Sequence, residues 1–212
     1  VTPTGQATPG RLRLGILGGS FDPPHVGHLL LAQDALDLLS LDRLLLVPAG
    51  TQPLKGSAAA TAAERLAMVQ LAFSGIPRVV VDPIEIDRGG LSFMVDTVEH
   101  FAGRWPDAEL LLVLGADAAT DLARWRDPQR VLQQVQLAVA VRDGEMFGAA
   151  PLPWATWSAI RPPVQLASRR VDVSSSEIRA RIAAGRSIHG FVPEAVAAYI
   201  AASGLYHSRN AC

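Results

Sequence analysis

Short apolar runs alternate along the chain with longer stretches whose apolar positions recur every three or four residues. The short runs, at 13–17, 43–47, 79–82, 110–114, 137–141 and 164–167, have the length and continuity of strands buried on both faces. The longer ones, at 25–39, 62–73, 93–102 and 127–133, carry the period of helices lying on a sheet. A capped helix follows Ser174, and a short helix at 193–202 ends at Gly204. Such alternation predicts an α/β fold, a Rossmann-like doubly wound parallel sheet of five to six strands with a small C-terminal helical segment. Right-handed crossovers place every strand-to-helix loop at the carboxyl edge of the sheet, where ligands bind. The domain expected from this pattern runs from 12 to 206, its helical part at 174–206. Residues 1–11 read as a flexible arm and 207–212 as a tail.

Composition narrows the picture. With 49% hydrophobic and 18% charged residues among 212, the chain can fill a complete core. A net charge of -1 offers no basic excess for nucleic acid. The one cysteine, Cys212, excludes an internal disulfide framework. No apolar leader opens the sequence, and Asp34, Asp37, Asp42 and Arg43 interrupt its longest apolar stretch, so neither a signal peptide nor a membrane span is read. The expectation is a cytoplasmic protein with small-molecule partners. Oligomeric state is left open. One basic residue, Lys55, is a lysine, and all the others are arginine. It lies in the Gly- and Pro-bearing loop 48–60 and suits either a solvated surface or a phosphate contact. The segment 144–163, rich in Pro, Gly and Trp, reads as an excursion without an assigned role.

The densest chemistry lies in G-G-S-F-D-P-P-H-V-G-H at 18–28. Gly18 and Gly19 end the first strand, Pro23 and Pro24 stiffen a turn, and His25 and His28 open a helix. Three residues apart, the two imidazoles share one helix face. Bare glycine backbone, a helix N-terminus and two rings able to become cationic make a site for a polyphosphate. The spacing is neither the dinucleotide fingerprint G-x-G-x-x-G nor a Walker A loop, which argues against a nicotinamide-dependent oxidoreductase and a P-loop enzyme. Two other clusters stand at strand-to-helix junctions. Gly115 and Asp117 follow the fourth strand, where a carboxylate can accept from ribose hydroxyls or simply favour the helix start. Ser174 and Glu177 fit a capping box, while Ser175, Ser176 and Arg179 offer anion contacts on the same turn. Trp125 fits a core position or a stacking one.

The segment 18–28 resembles the signature of the nucleotidyltransferase superfamily. With E-R-L-A-M-V at 64–69, S-F-M-V-D-T-V at 92–98, L-G-A-D-A-A-T-D-L-A-R-W at 114–125, V-S-S-S-E-I-R at 173–179 and F-V-P-E-A-V-A-A-Y-I-A-A-S-G-L-Y at 191–206, the chain is similar to the bacterial nicotinate-mononucleotide adenylyltransferases. That resemblance implies transfer of the adenylyl group of ATP to nicotinate mononucleotide, with Mg²⁺ carried mainly by the ATP phosphates and no dedicated protein ligand. It implies His25, His28 and Arg179 as catalytic residues. Gly18, Gly19, Ser20, Phe21, Lys55, Ser175 and Ser176 would line the nucleotide, and Gly115 and Asp117 would meet its ribose. Phe93, Met94, Trp125 and Arg142 would contact the acceptor, Trp125 by stacking on the pyridine and the backbone near Phe93 and Met94 through its carboxylate. The chain departs from the family at Leu54, where a histidine is usual, and at Phe93-Met94, where Tyr-Thr is usual. Alternative readings are a relative that prefers nicotinamide mononucleotide or phosphopantetheine, and a non-catalytic module that binds adenine nucleotides.

Overall fold

The computed structural model describes residues 10–54, 56, 58–142, 161–169 and 171–207, with only the backbone at Arg142. Lys55, most of the 144–163 excursion, nearly all of the N-terminal arm and the end of the tail lie outside the described residues.

Six strands form one sheet: β1 (Arg13–Gly19), β2 (Arg43–Pro48), β3 (Val79–Val81), β4 (Glu109–Gly115), β5 (Gln136–Arg142) and β6 (Val164–Ser168). All adjacent pairs are parallel, in the order β3-β2-β1-β4-β5-β6. The expected doubly wound sheet is therefore present, at the upper end of the expected strand number. Each predicted strand is found, five of them extended by a residue or two at one or both ends and β3 one residue shorter than expected.

Helices α1 (Val26–Leu38), α2 (Ala62–Phe73), α3 (Ile84–Arg88), α4 (Met94–Arg104), α5 (Ala116–Thr120), α6 (Pro128–Gln134), α7 (Ser175–Ala183) and α8 (Glu194–Ser203) surround the sheet. Two short elements escape the sequence pattern, α3 and the pair formed by α5 with a 3-10 turn at Asp121–Arg124. Neither is long enough for a helical period to stand out.

Alternate residues of each strand divide between two cores, as the pleat requires. Leu44, Leu46, Leu111, Val113 and Ala138 face a core shared with α1, α2, α7 and α8. Leu45, Val47, Leu110, Leu112, Leu137 and Val139 face the other, with α4 and α6. Covering both faces explains why the strands read as continuous apolar runs.

Strand order reverses between β1 and β4. There β1 stays paired with β2 through Gly19↔Pro48, but its ladder with β4 ends at Ile16↔Leu112. The ends of β1 and β4 part beyond that point, and a crevice opens at the carboxyl edge. Among the described residues no helix is long and apolar enough to cross a membrane.

Candidate active site

The loop after β1 is built to be tight. A Cβ at Gly18 would come within 2.8 Å of the Met94 methyl, so a larger residue here would have to push the flexible end of that α4 side chain aside. Phe21 adopts a left-handed φ of 50° and is 2% exposed, a strained backbone that burial of the ring holds in place. Asp22 is likewise buried. Its Oδ2 accepts the Ala59 N–H at 2.7 Å, and its Oδ1 accepts the Ala60 N–H at 3.1 Å and the Tyr206 hydroxyl at 2.7 Å. The carboxylate thus ties the signature loop to the start of α2 and to the C-terminal segment.

Arg65, 2% exposed, spans the same region from α2. Its Nη1 donates to Ser20 O at 2.9 Å and its Nη2 to Gly50 O at 2.7 Å, clamping the loops after β1 and β2 together. Burial lowers its pKa, against the opposing field of Asp22. Ser20 Oγ closes the clamp by donating to Gln52 Oε1 at 2.8 Å.

His25 and His28 stack with ring centroids 3.8 Å apart, and Phe21 packs on His28 at 4.9 Å. His28 Nδ1 accepts the His25 backbone N–H at 3.1 Å, which leaves the ring proton on Nε2. Burial pushes the His25 pKa down from 6.5 to about 4. Of the two rings read from sequence as able to become cationic, His25 is held back by its burial. His25 is neutral near pH 7 because its 8% exposure strips the charged form of water. Its Nδ1 is buried against Gly27 without a hydrogen-bond partner. Val26 N–H donates to Phe191 O and His28 N–H to His25 O.

Opposite stands the first turn of α7. Ser174 Oγ caps the helix by accepting the Glu177 N–H at 3.1 Å. Ser175 Oγ donates to Pro23 O at 2.8 Å, and Arg179 Nη1 donates to Asp22 O at 2.7 Å while its Nη2 reaches Ser176 Oγ at 3.3 Å. These residues grip the signature loop from the side facing α1.

Together the elements enclose a cavity of about 780 Å³, lined by Gly18, Gly19, His25, His28, Ser175 and Arg179 among others. A second cavity of about 250 Å³ adjoins it, sharing Gly18, Gly19 and Gln52. Phe93, Met94, Trp125 and Arg126 line this one, with Leu54 at its wall. The buried carboxyl of Glu85 also faces it and accepts the Thr97 hydroxyl at 2.7 Å; burial raises its pKa, and bonds from Thr97 and Ser92 oppose the rise.

The structure thus brings together His25, His28, Ser175, Ser176 and Arg179 around one cavity and Phe93, Met94 and Trp125 around the next, with Ser20 and Phe21 on the first. Gly115 and Asp117 lie exposed at the end of β4 and line neither cavity. Arg142 ends β5 beside Ser168. Asp22, Arg65, Gln52, Glu85 and Arg126 were not singled out by sequence. Arg65 did carry a signal, because it shares the helical stripe of Met68, Val69 and Ala72, and a charge on an apolar stripe needs buried partners.

A model of the cytidylyltransferase-like family matches residues 16–181. A protein of Gemmatimonas aurantiaca is 55% identical over 196 residues, covering 92% of each chain, and one of Bordetella avium is 45% identical, covering 92% of this chain and 98% of its own. Both are named "Probable nicotinate-nucleotide adenylyltransferase". In fold, the chain is similar to the Plasmodium falciparum nicotinic acid mononucleotide adenylyltransferase, solved with APC and with NaAD, at a TM-score of 0.73, 16% identity and 92% and 98% coverage. On this evidence the chain belongs to the nicotinate-nucleotide adenylyltransferases of the cytidylyltransferase-like family.

Proposed function

We propose that the protein transfers the adenylyl group of ATP to nicotinate mononucleotide, releasing pyrophosphate and forming nicotinate adenine dinucleotide. The observation that carries this reading is the pair of cavities meeting over Gly18 and Gly19. One is walled by imidazoles, hydroxyls and a guanidinium, the other by aromatic rings and the start of α4. The first suits a triphosphate and the second a flat ring with an anionic substituent, so the reacting phosphates would meet at the seam.

The acceptor brings its own nucleophile, an ionised 5′-phosphate oxygen. It attacks the α-phosphorus in line, and the bond to the bridging oxygen of the departing pyrophosphate breaks. No enzyme base is required. The protein positions two anions against their repulsion and donates to the charge that develops on the α-phosphate and the leaving group. The Nε2–H of His28 and the N–H of neutral His25 act as dipolar donors, and Arg179 supplies a permanent positive charge. Ser176 adds a hydroxyl, while Ser175, its proton given to Pro23 O, ties this turn to the signature loop. For the acceptor, Trp125 and Phe93 provide ring contacts, while the amides at the start of α4 favour a carboxylate.

Mg²⁺ would enter on the ATP phosphates and supply charge neutralisation there. The one carboxylate in the signature loop, Asp22, already serves three donors. Pyrophosphate release, measured with ATP and in turn nicotinate mononucleotide, nicotinamide mononucleotide and phosphopantetheine, tests the reading. Fastest turnover with the first is expected. Preference for either of the others, or release with none, would replace it.

A further inference from the structure

The second cavity holds four charged side chains: Glu85, Asp121, Arg124 and Arg126. Three of them are already answered. Glu85 is buried and accepts from Thr97, and burial favours its neutral form. Arg124 Nη1 donates to Asp121 Oδ1 at 3.3 Å, cancelling that pair. Arg126 differs. Its guanidinium carbon lies over the Phe93 ring, 4.7 Å from the centroid, and among the described residues its charge meets only Asp127, without a hydrogen bond. The nearest carboxylate oxygen, Asp127 Oδ2, stands 3.8 Å from Arg126 Nε and an equal 3.8 Å from Arg130 Nη1, too far for a hydrogen bond and divided between two cations.

A guanidinium held by stacking keeps its N–H edges free, and those edges match a carboxylate with two parallel bonds. Phe93 holds the guanidinium against its ring and stands at the N-cap of α4, so the cation and the start of α4 border one pocket that Trp125 also lines. We propose that Arg126 is a specificity-determining residue that reads the negative charge on the pyridine ring of the acceptor, favouring the acid over the neutral amide. This rests on the adenylyl transfer proposed above. The anion could in chemical terms also be the acceptor's 5′-phosphate, but acid and amide share that group, so discrimination between them separates the two.

The experiment compares kcat/KM for nicotinate mononucleotide and nicotinamide mononucleotide at saturating ATP, by pyrophosphate release, in the wild-type chain and in Arg126→Gln, Arg126→Lys and Arg124→Gln. Arg126 is exposed, so its replacement leaves the core intact. In Arg126→Gln the acid-to-amide ratio falls at least about tenfold, as loss of a charge-assisted pair implies. Arg126→Lys, which keeps charge but not the fork, lies between. A ratio within about twofold of wild type overturns the proposal, whether both acceptors keep their rates (a solvated arginine) or lose them equally (a phosphate contact). An equal fall in Arg124→Gln also overturns it, because the effect is then a diffuse field. A wild-type chain that adenylates neither acceptor refutes the transfer reaction itself, and this inference with it.

Discussion

The hydroxyl of Tyr206 donates a 2.7 Å hydrogen bond to Oδ1 of Asp22, joining residues 184 positions apart. The same carboxylate oxygen accepts the Ala60 N–H, and the backbone carbonyl of Asp22 accepts from Arg179. The loop that carries the site is thus held by the last turn of the fold as well as by its own strand. Burial and the Asp22 carboxylate push the Tyr206 phenol well above its usual range, so it remains a donor at every pH the enzyme meets.

Removing that donor should loosen the loop. Tyr206→Phe loses a hydrogen bond to a charged group, about 2 kcal/mol, which in a domain of this size lowers Tm by about 4–8 °C. Thermal unfolding followed by circular dichroism measures it. An unchanged Tm would show that the contact adds nothing.

Arg65 should matter more to folding. Arg65→Met leaves the carbonyls of Ser20 and Gly50 without their donors and is expected to cost about 3 kcal/mol or more. Urea unfolding gives the difference directly. Arg65→Lys, unable to reach both carbonyls at once, recovers only part of it.

His25 makes stability depend on acid. The folded pKa, about 4, lies below the unfolded value near 6.5, so between them the unfolded chain binds a proton that the folded chain refuses. Stability is therefore lost as pH falls from 6.5 to about 4, by about 3 kcal/mol in total, and the loss levels off below 4. In His25→Asn this contribution vanishes. Urea unfolding of both proteins across pH 7 to 4 shows it as a difference that shrinks steadily with acid.

Chemistry should fall on His28. His28→Ala, which keeps the helix and removes the Nε2 donor, is expected to lower kcat at least about a hundredfold. Circular dichroism of the variant should match the parent. Full turnover in a folded variant would take His28 out of the reaction.

Trp125 separates binding from folding. It is partly buried at the edge of the second core and lines the acceptor cavity. Trp125→Ala should raise KM for the pyridine mononucleotide about tenfold or more, in the range of base–aromatic stacking, with KM for ATP little changed. Loss of the fold instead would assign the ring to the core.

Period and punctuation alone located all six strands and the longer helices, because continuous apolar runs and helical stripes report local geometry that each segment carries by itself. The glycine turn, the two histidines and the Ser174 cap were legible for the same reason. The short α3 and α5 were not, since five residues hold no period. Tertiary structure decided what depends on distant neighbours. It stacked the imidazoles in a buried place and so kept His25 neutral, where sequence said only that the ring could become cationic. It turned Asp22 into an anchor for Tyr206 and Arg65 into a clamp between two loops. It also set Arg126 over Phe93, with a long ion pair to Asp127 that Arg130 shares. Spacing sets which residues can share a turn, but desolvation and partner choice are sums over every element packed around a group, and only the assembled chain performs that sum.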